Sequence, residues 1–138
     1  MTTFNTQEFL DDEQIARRIV DYRHGQAVFS QGDACAHVMY LCKGAIKLSV
    51  RSTTGREAIV AILGPGEFFG EASLAGQRTR AGSATAIAAS TVLLVDTHNM
   101  VRLLRRHRAM CDRFIAHMLA RNAHIEKALI DQLFDSCE

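Results

Sequence analysis

The stretch PGEFFGEASLAGQRTRAG, residues 65–82, concentrates groups that bind an anionic ligand. Gly70 allows the backbone to approach a ligand closely, because glycine has no side chain. The residues that follow it, EASLAG, are predicted to form one helical turn, and the first N–H groups of such a turn make an anion site. Arg80 is placed to return to the same point and to pair with a phosphate through two donors. The stretch therefore predicts a phosphate site.

Glu71 conflicts with this interpretation at first, because a carboxylate beside a phosphate repels it. The conflict disappears if Glu71 accepts hydrogen bonds from sugar hydroxyl groups further along the ligand. A phosphate and sugar hydroxyls held in one pocket describe a nucleotide. The alternative is that Glu71 and Arg80 only form a salt bridge near a loop. The glycine spacing itself is not that of a dinucleotide-binding loop, since Gly64, Gly66 and Gly70 give G-x-G-x-x-x-G.

Composition limits the class of protein that carries this stretch. The chain has 138 residues, of which 48% are hydrophobic and 22% are charged, which is typical of one globular domain. Its net charge of +1 does not indicate a nucleic-acid or membrane surface. We expect a cytoplasmic location, because no leader-like or membrane-spanning apolar run is present. The four cysteines form no C-x-x-C pair, so no zinc or iron–sulfur site is expected.

Short β-prone runs separated by glycine turns fill residues 25–95. AIKLSV, residues 45–50, alternates so that Val50 belongs to the apolar face and Ser49 to the polar face. AIVAIL, residues 58–63, predicts a more buried strand, and GSATAIAAS and TVLLVD predict further strands. Many short strands at close spacing favour a small β-sandwich or barrel.

Helical patterns flank the strand-rich part. We predict an N-terminal helical segment over 1–22, a barrel over 23–97 and a helical region over 98–138. Glycine and proline are absent from about residue 98 to 134, where HNMVRLLRRH and a longer segment from Ala109 to Phe134 predict two helices.

The longer helix carries a seven-residue repeat that is mostly apolar. It either packs on the chain's own barrel or pairs with its copy in a parallel homodimer through residues 110–134. The apolar majority of the repeat favours the dimer. The two series of the repeat are Cys111, Met118, Ile125 and Gln132, and Ile115, Asn122 and Leu129.

Over roughly residues 20–138 the chain resembles the cyclic nucleotide-binding sensor domain of the Crp/Fnr transcription regulators. The resemblance lies in GQAVFSQGD, MYLCKGAIKLSV, GREAIVAILGPGEFFGEASLAG and TRAGSATA, and most specifically in Phe69-Gly70-Glu71 followed by Arg80-Ala81. It implies a mainly β fold with flanking helices, namely an eight-stranded jelly-roll barrel followed by a long C-terminal dimerisation helix.

The resemblance also implies ligand contacts. Glu71 would bind the ribose 2′-hydroxyl, and Arg80 would pair with the cyclic phosphate, joined by backbone N–H groups near Gly70, Ala72 and Ala81. Ala81 departs from the members that offer a hydroxyl to the phosphate at this position. The implied effector is a cyclic nucleotide, cAMP first and cGMP second, with no metal.

Two positions of the long helix, Ile125 and Glu126, correspond to residues that face the adenine in cAMP-responsive members. Full-length members continue into a helix-turn-helix domain that enters the DNA major groove. We expect that domain to be absent from this chain, which ends FDSCE. Contact with DNA is therefore expected only through that missing domain, and no membrane partner is expected.

Three alternatives remain. The same module regulates a channel or a kinase instead of transcription, or the regulator responds to an effector that is not a cyclic nucleotide. The third is an enzyme on a related barrel, such as a metal-dependent cupin. We do not expect an enzyme, because the barrel region lacks an H-x-H pair and clustered metal ligands.

Overall fold

A computed structural model describes the backbone of residues 17–137 and the side chains of residues 18–125 and 127. The chain divides into two compact units, with the boundary between Leu103 and Leu104. Eight strands lie within the described residues: β1 Arg17–Tyr22, β2 Ala27–Phe29, β3 His37–Lys43, β4 Ile46–Arg51, β5 Glu57–Leu63, β6 Phe68–Phe69, β7 Ser83–Ala86 and β8 Ser90–Asp96.

The strands form two four-stranded antiparallel sheets. Sheet 1 has the order β1-β8-β3-β6, and sheet 2 has the order β2-β7-β4-β5. Most neighbours within a sheet are distant in the chain, as in a jelly roll, where consecutive strands cross between two packed sheets. The predicted mainly β jelly-roll fold with C-terminal helices is therefore confirmed.

The core lies between the two sheets. Strand residues alternate between faces, so each strand contributes every second side chain to the core. In β3, for example, Met39 and Leu41 face the core. β7 contributes two small residues, Ala84 and Ala86, to this core. The core cluster consists of Met39, Leu41, Ile46, Leu63, Phe69, Ala84, Ala86, Val92 and Leu94.

The predicted N-terminal helix is wrong for its last six residues. Residues 17–22 form β1, which pairs in register with β8 from Arg17 opposite Val95 to Tyr22 opposite Ser90. Pairing with β8 supplies hydrogen-bond partners for the backbone of this segment, and this stabilises a strand more than one apolar stripe stabilises a helix. Ile19 is exposed. Residues 1–16, the rest of the predicted helix, lie outside the described residues.

The prediction that AIVAIL is a more buried strand is also wrong. β5 lies at the edge of sheet 2, where Ile59 and Ile62 are more than half exposed. Within β4, Ser49 is only 6% exposed while Val50 is 39% exposed, the reverse of what the alternation suggests. Val50 is exposed because it borders an open cavity, described below, instead of packed core.

Two α-helices follow the strands, as predicted: α1 Thr97–Arg106 and α2 Arg108–Cys137. Met100 and Leu103 of α1 are buried. In α2 the two series of the seven-residue repeat differ in burial: Met118 of the first series is buried, whereas Ile115 of the second is half exposed. Among the helices the structure describes, none combines the length and the apolar character that crossing a bilayer requires.

Leu41 tests the core assignment. It is fully buried on β3 between the two sheets, so Leu41→Ala removes buried methyl groups and leaves a cavity. We expect the free energy of unfolding, measured by urea denaturation, to fall by about 2–5 kcal/mol. Ile19→Ala on the exposed side of β1 is the control and should cost less than about 1 kcal/mol. Equal losses in the two variants would contradict the placement of Leu41.

Candidate functional site

The glycine-rich stretch begins where β6 ends. Phe68 and Phe69 are both buried, and Gly70 then takes a left-handed conformation with φ 71° and ψ 25°. A single 3-10 turn follows over Glu71–Ala75 and ends at Gly76, which is also left-handed at φ 84°. The predicted helical turn after Gly70 is therefore present, bounded by two glycines that tolerate this backbone conformation.

Arg80 is the charged side chain that the fold buries at this turn, with only 5% of its surface exposed. Its Nη1 donates to the carbonyl of Gly70 at 2.7 Å, and its Nη2 donates to the carbonyl of His37 at 2.7 Å. The Sδ of Met39 lies 3.7 Å from Nη2. The guanidinium carbon lies 4.2 Å from the ring centroid of Phe29, which is a cation–π arrangement. These contacts hold the guanidinium in one orientation.

The backbone of Arg80 is held as firmly as its side chain. The N–H of Arg80 donates to the carbonyl of Asp33, and the N–H of Gly32 donates to the carbonyl of Arg80, both at 2.8 Å. The N–H of Cys35 donates to the carbonyl of Arg78 at 2.8 Å. The loop after β2 thus pairs with the segment that carries Arg80, which fixes where the side chain starts.

One nitrogen of the Arg80 guanidinium makes no hydrogen bond to the described residues. This nitrogen is Nε, and it is buried. Burial lowers the pKa of Arg80, while Cys35, Glu71 and Asp33 act in the opposite direction. A buried cation with an unused donor carries a desolvation cost that an anion would offset.

A cavity of about 200 Å³ opens beside this guanidinium. The five predicted residues of the stretch, Gly70, Glu71, Ala72, Arg80 and Ala81, all line it. The structure therefore brings together the residues that the sequence pattern selected. Sequence reasoning missed a further set of lining residues, namely Phe29, Leu48, Ser49, Val50, Val60, Gly82 and Ser83.

The missed residues differ in how far the sequence indicated them. The alternation of β4 put Leu48 and Val50 on one face of the strand, so the sequence indicated that face as a candidate wall of the cavity. Phe29 gave no signal, because its contact with Arg80 joins residues 51 positions apart.

The two predicted base contacts lie in the second unit, on α2. Ile125 is partly exposed, and the side chain of Glu126 is outside the described residues. Their role stays a prediction. Among the residues whose side chains are described, no three His, Cys, Asp or Glu residues lie close enough together to hold a metal ion.

A family model described as the cyclic nucleotide-binding domain matches residues 19–107, which is more than half of the chain. The chain belongs to the cyclic nucleotide-binding domain family. The match contains both the turn after Gly70 and Arg80. The site described above therefore lies in the part of the chain that defines the family.

Similar proteins place this cyclic nucleotide-binding domain among the CRP-type regulators. It is 34% identical over 85 residues to the cyclic AMP receptor protein of Thermus thermophilus, covering 62% of this chain and 39% of that protein. It is 32% identical over 77 residues to the CRP-like cAMP-activated global transcriptional regulator of Mycobacterium tuberculosis, covering 56% and 34%.

The crystal structure of the Thermus thermophilus catabolite activator protein superposes with a TM-score of 0.72 at 30% identity. That comparison covers 91% of this chain and 59% of the activator. The predicted resemblance to a Crp/Fnr sensor domain is confirmed. The domain spans well under half the length of the curated relatives it matches.

Gly70 tests the packing of the site. A Cβ at this position would lie 2.6 Å from the Sδ of Met39 and 3.0 Å from Nη1 of Arg80. We expect Gly70→Ala to lower the free energy of unfolding by about 2–4 kcal/mol, from backbone strain and this overlap together. We also expect it to shift the NMR signal of the Arg80 Nε–H.

Gly76→Ala is the matched control, because Gly76 has a similar positive φ and its Cβ would have nothing within 4 Å. It should show only the backbone strain, about 1–2 kcal/mol, with an unchanged Arg80 signal. An identical response from the two glycines would mean that Gly70 does not confine the guanidinium.

Proposed function

We propose that this chain is the effector-binding sensor domain of a Crp/Fnr-type transcription regulator and that a cyclic nucleotide occupies the cavity beside Arg80. The observation that carries the proposal is the buried guanidinium of Arg80, which belongs to a residue that lines the cavity and which keeps an Nε without a partner among the described residues. An anion at this point supplies both the missing charge and the missing acceptor.

The cavity residues supply complementary parts of a nucleotide site. Arginine has five N–H donors, so Arg80 retains donors for a phosphate after it has bound the two carbonyls. Glu71 lines the same cavity, and its carboxylate accepts well from the ribose 2′-hydroxyl. Ala72 and Ala81 contribute backbone N–H groups to the phosphate, and Ala81 adds no hydroxyl.

The size of the cavity limits which part of the ligand it holds. Its volume of about 200 Å³ lies below the roughly 300–1,000 Å³ typical of sites that enclose a whole small molecule. The cavity therefore suits the ribose and phosphate, and the base extends beyond it. We propose that Ile125 and Glu126 of α2 contact the base. We propose cAMP first, because the two curated relatives are named for cAMP, and cGMP second.

The similar proteins are named as a receptor protein, a transcriptional regulator and an activator protein, which supports a sensor without catalysis. We also propose that the sensor has no resident metal. We propose that the complete protein binds DNA through a separate helix-turn-helix domain and acts in the cytoplasm. The long α2 would relay the bound state by favouring one helix arrangement, with a coupling of about 1–3 kcal/mol.

The two sides of α2 support a homodimer through residues 110–134. Met110, Phe114 and Met118 are buried on one side of the helix. Ile115 and Leu119 lie on another side and are 48% and 63% exposed. A helix with a second apolar side gains stability when a copy covers it.

Arg80→Ala tests the nucleotide site. The substitution removes a buried, charge-assisted pair with the phosphate, so cAMP affinity measured by calorimetry should fall by about 2–4 kcal/mol, or roughly 30- to 1000-fold. Urea denaturation of the same sample shows whether the variant is folded.

Arg78→Ala is the control, because this substitution also removes one arginine charge, but from an exposed position two residues earlier in the chain. It should leave the affinity within about threefold. Near-native affinity of a folded Arg80→Ala variant would refute the phosphate assignment.

The double variant Ile115→Glu, Leu119→Glu tests the dimer. It places carboxylates on the exposed apolar side of α2, where two copies would bury like charges. We expect light scattering to report dimers for the parent chain and monomers for this variant. Ala120→Glu adds one charge to another exposed side of the same helix and should leave the dimer intact. A monomeric parent chain at micromolar concentration would rule out this interface.

A further inference from the structure

A second, larger depression lies in the same unit, in the outer region of sheet 2. Its volume is about 550 Å³, within the usual range for small-molecule sites. We call it the hydroxyl groove. Eight of its nine lining residues are polar. The lining residues are Ala27, Ser30, Gln31, Ser49, Arg51, Ser52, Glu57, Ser83 and Thr85.

Strand register explains why hydroxyl groups collect here. Ser49 of β4 pairs with Ser83 of β7, and Thr85 of β7 pairs with Ala27 of β2. Directly paired residues share one face of a sheet. The intervening Ala84 belongs to the core and marks the opposite face. The groove floor therefore consists of short side chains on the face of sheet 2 that points away from the core.

Several of these hydroxyls are uncommitted. Ser30, Ser49 and Thr85 have no side-chain hydrogen bond to any residue in the described part of the chain. Ser49 is the most buried residue of the three, with 6% of its surface exposed. A hydroxyl group that makes no bond within the protein can both donate to and accept from the hydroxyl groups of a ligand.

The rim of the groove is already organised. The N–H of Gln31 donates to Oγ of Ser83 at 2.8 Å, and its side-chain amide bonds both the N–H and the carbonyl of Arg51, at 2.8 and 3.2 Å. Gln31 thus extends the sheet beyond the end of β7. Because the side chain of Gln31 is already held in place, it loses little rotamer freedom when a ligand binds, and this favours binding.

Charge argues against a phosphorylated ligand in this groove. Glu57 accepts from Nζ of Lys47 at 2.9 Å and lies 3.4 Å from Nη2 of Arg51. Both cations are therefore already engaged with a carboxylate, and these contacts lower the pKa of Glu57. No aromatic ring lines the groove, so it offers no stacking surface for a base.

An apolar shelf adjoins the hydroxyl floor. Ile59 pairs with Ser49 and Ile62 pairs with Lys47, so both isoleucines share the outer face of the sheet. Both are more than half exposed. A surface that combines many hydroxyl partners with an aliphatic shelf matches a molecule with hydroxyl edges and C–H faces.

We propose that the hydroxyl groove is a second binding site, for a neutral polyhydroxylated molecule of the saccharide class. Hydroxyl groups of the ligand both donate to and accept from Ser49, Ser83 and Thr85, and its C–H face covers the isoleucine shelf. The site is separate from the nucleotide cavity, although Ser49 and Ser83 border both. It does not depend on the proposed nucleotide function.

The test is an NMR titration of the uniformly ¹⁵N-labelled chain with maltose, a neutral disaccharide, at millimolar concentrations. We expect saturable shifts of the amides of Ser49, Ser83 and Thr85. Thr85→Val, which keeps the side-chain shape and removes one hydroxyl, should weaken maltose binding about fivefold, the effect of one hydrogen bond. Ser49→Ala should do the same.

Thr91→Val is the matched control, since it makes the same change on β8 of sheet 1, where the hydroxyl donates to Asp21. Maltose affinity should be unchanged in this variant. Three results would overturn the proposal: the absence of saturable shifts, unchanged affinity in a folded Thr85→Val, or shifts at Gly70–Ala72 in place of the groove. Tighter binding of glucose 6-phosphate than of maltose would also overturn it, because it would identify an anion site.

Discussion

Burial of the Arg80 guanidinium is the constraint on which the site depends. Taking a charge out of water costs several kcal/mol, and the fold offsets part of this cost with two backbone carbonyls and the face of Phe29. Those partners come from β2, β3 and the turn after β6, so the guanidinium ties three separated parts of the chain together. The Nε donor of the same guanidinium is buried without a partner among the described residues.

Two glycines make this arrangement sterically feasible. A Cβ at Gly70 would collide with Met39 and crowd Arg80, and a Cβ at Gly82 would lie 2.6 Å from the carbonyl of Ser49. Gly82 therefore allows the start of β7 to lie against β4, which closes the cavity on one side. The same close contact brings Ser49 and Ser83 together, and both residues line the cavity beside Arg80 as well as the hydroxyl groove.

The long helix α2 shows why a seven-residue repeat is an incomplete guide to an interface. The repeat put Ile115 and Met118 in one apolar stripe. In the structure Met118 is buried and Ile115 is exposed, together with Leu119, which the repeat did not include. Burial depends on which elements surround the helix, and a periodic pattern contains no information about them.

The sequence by itself determined the mainly β class, the two C-terminal helices and the grouping of Gly70, Glu71 and Arg80, because these follow from local alternation, glycine positions and residue chemistry. Only the tertiary structure decided that residues 17–22 pair with β8 as a strand and that the isoleucines of β5 lie on an open edge. It also decided that Phe29 covers Arg80. Each of these outcomes depends on partners far away in the chain, and the free energy of strand pairing and burial outweighs the local preference that a sequence displays.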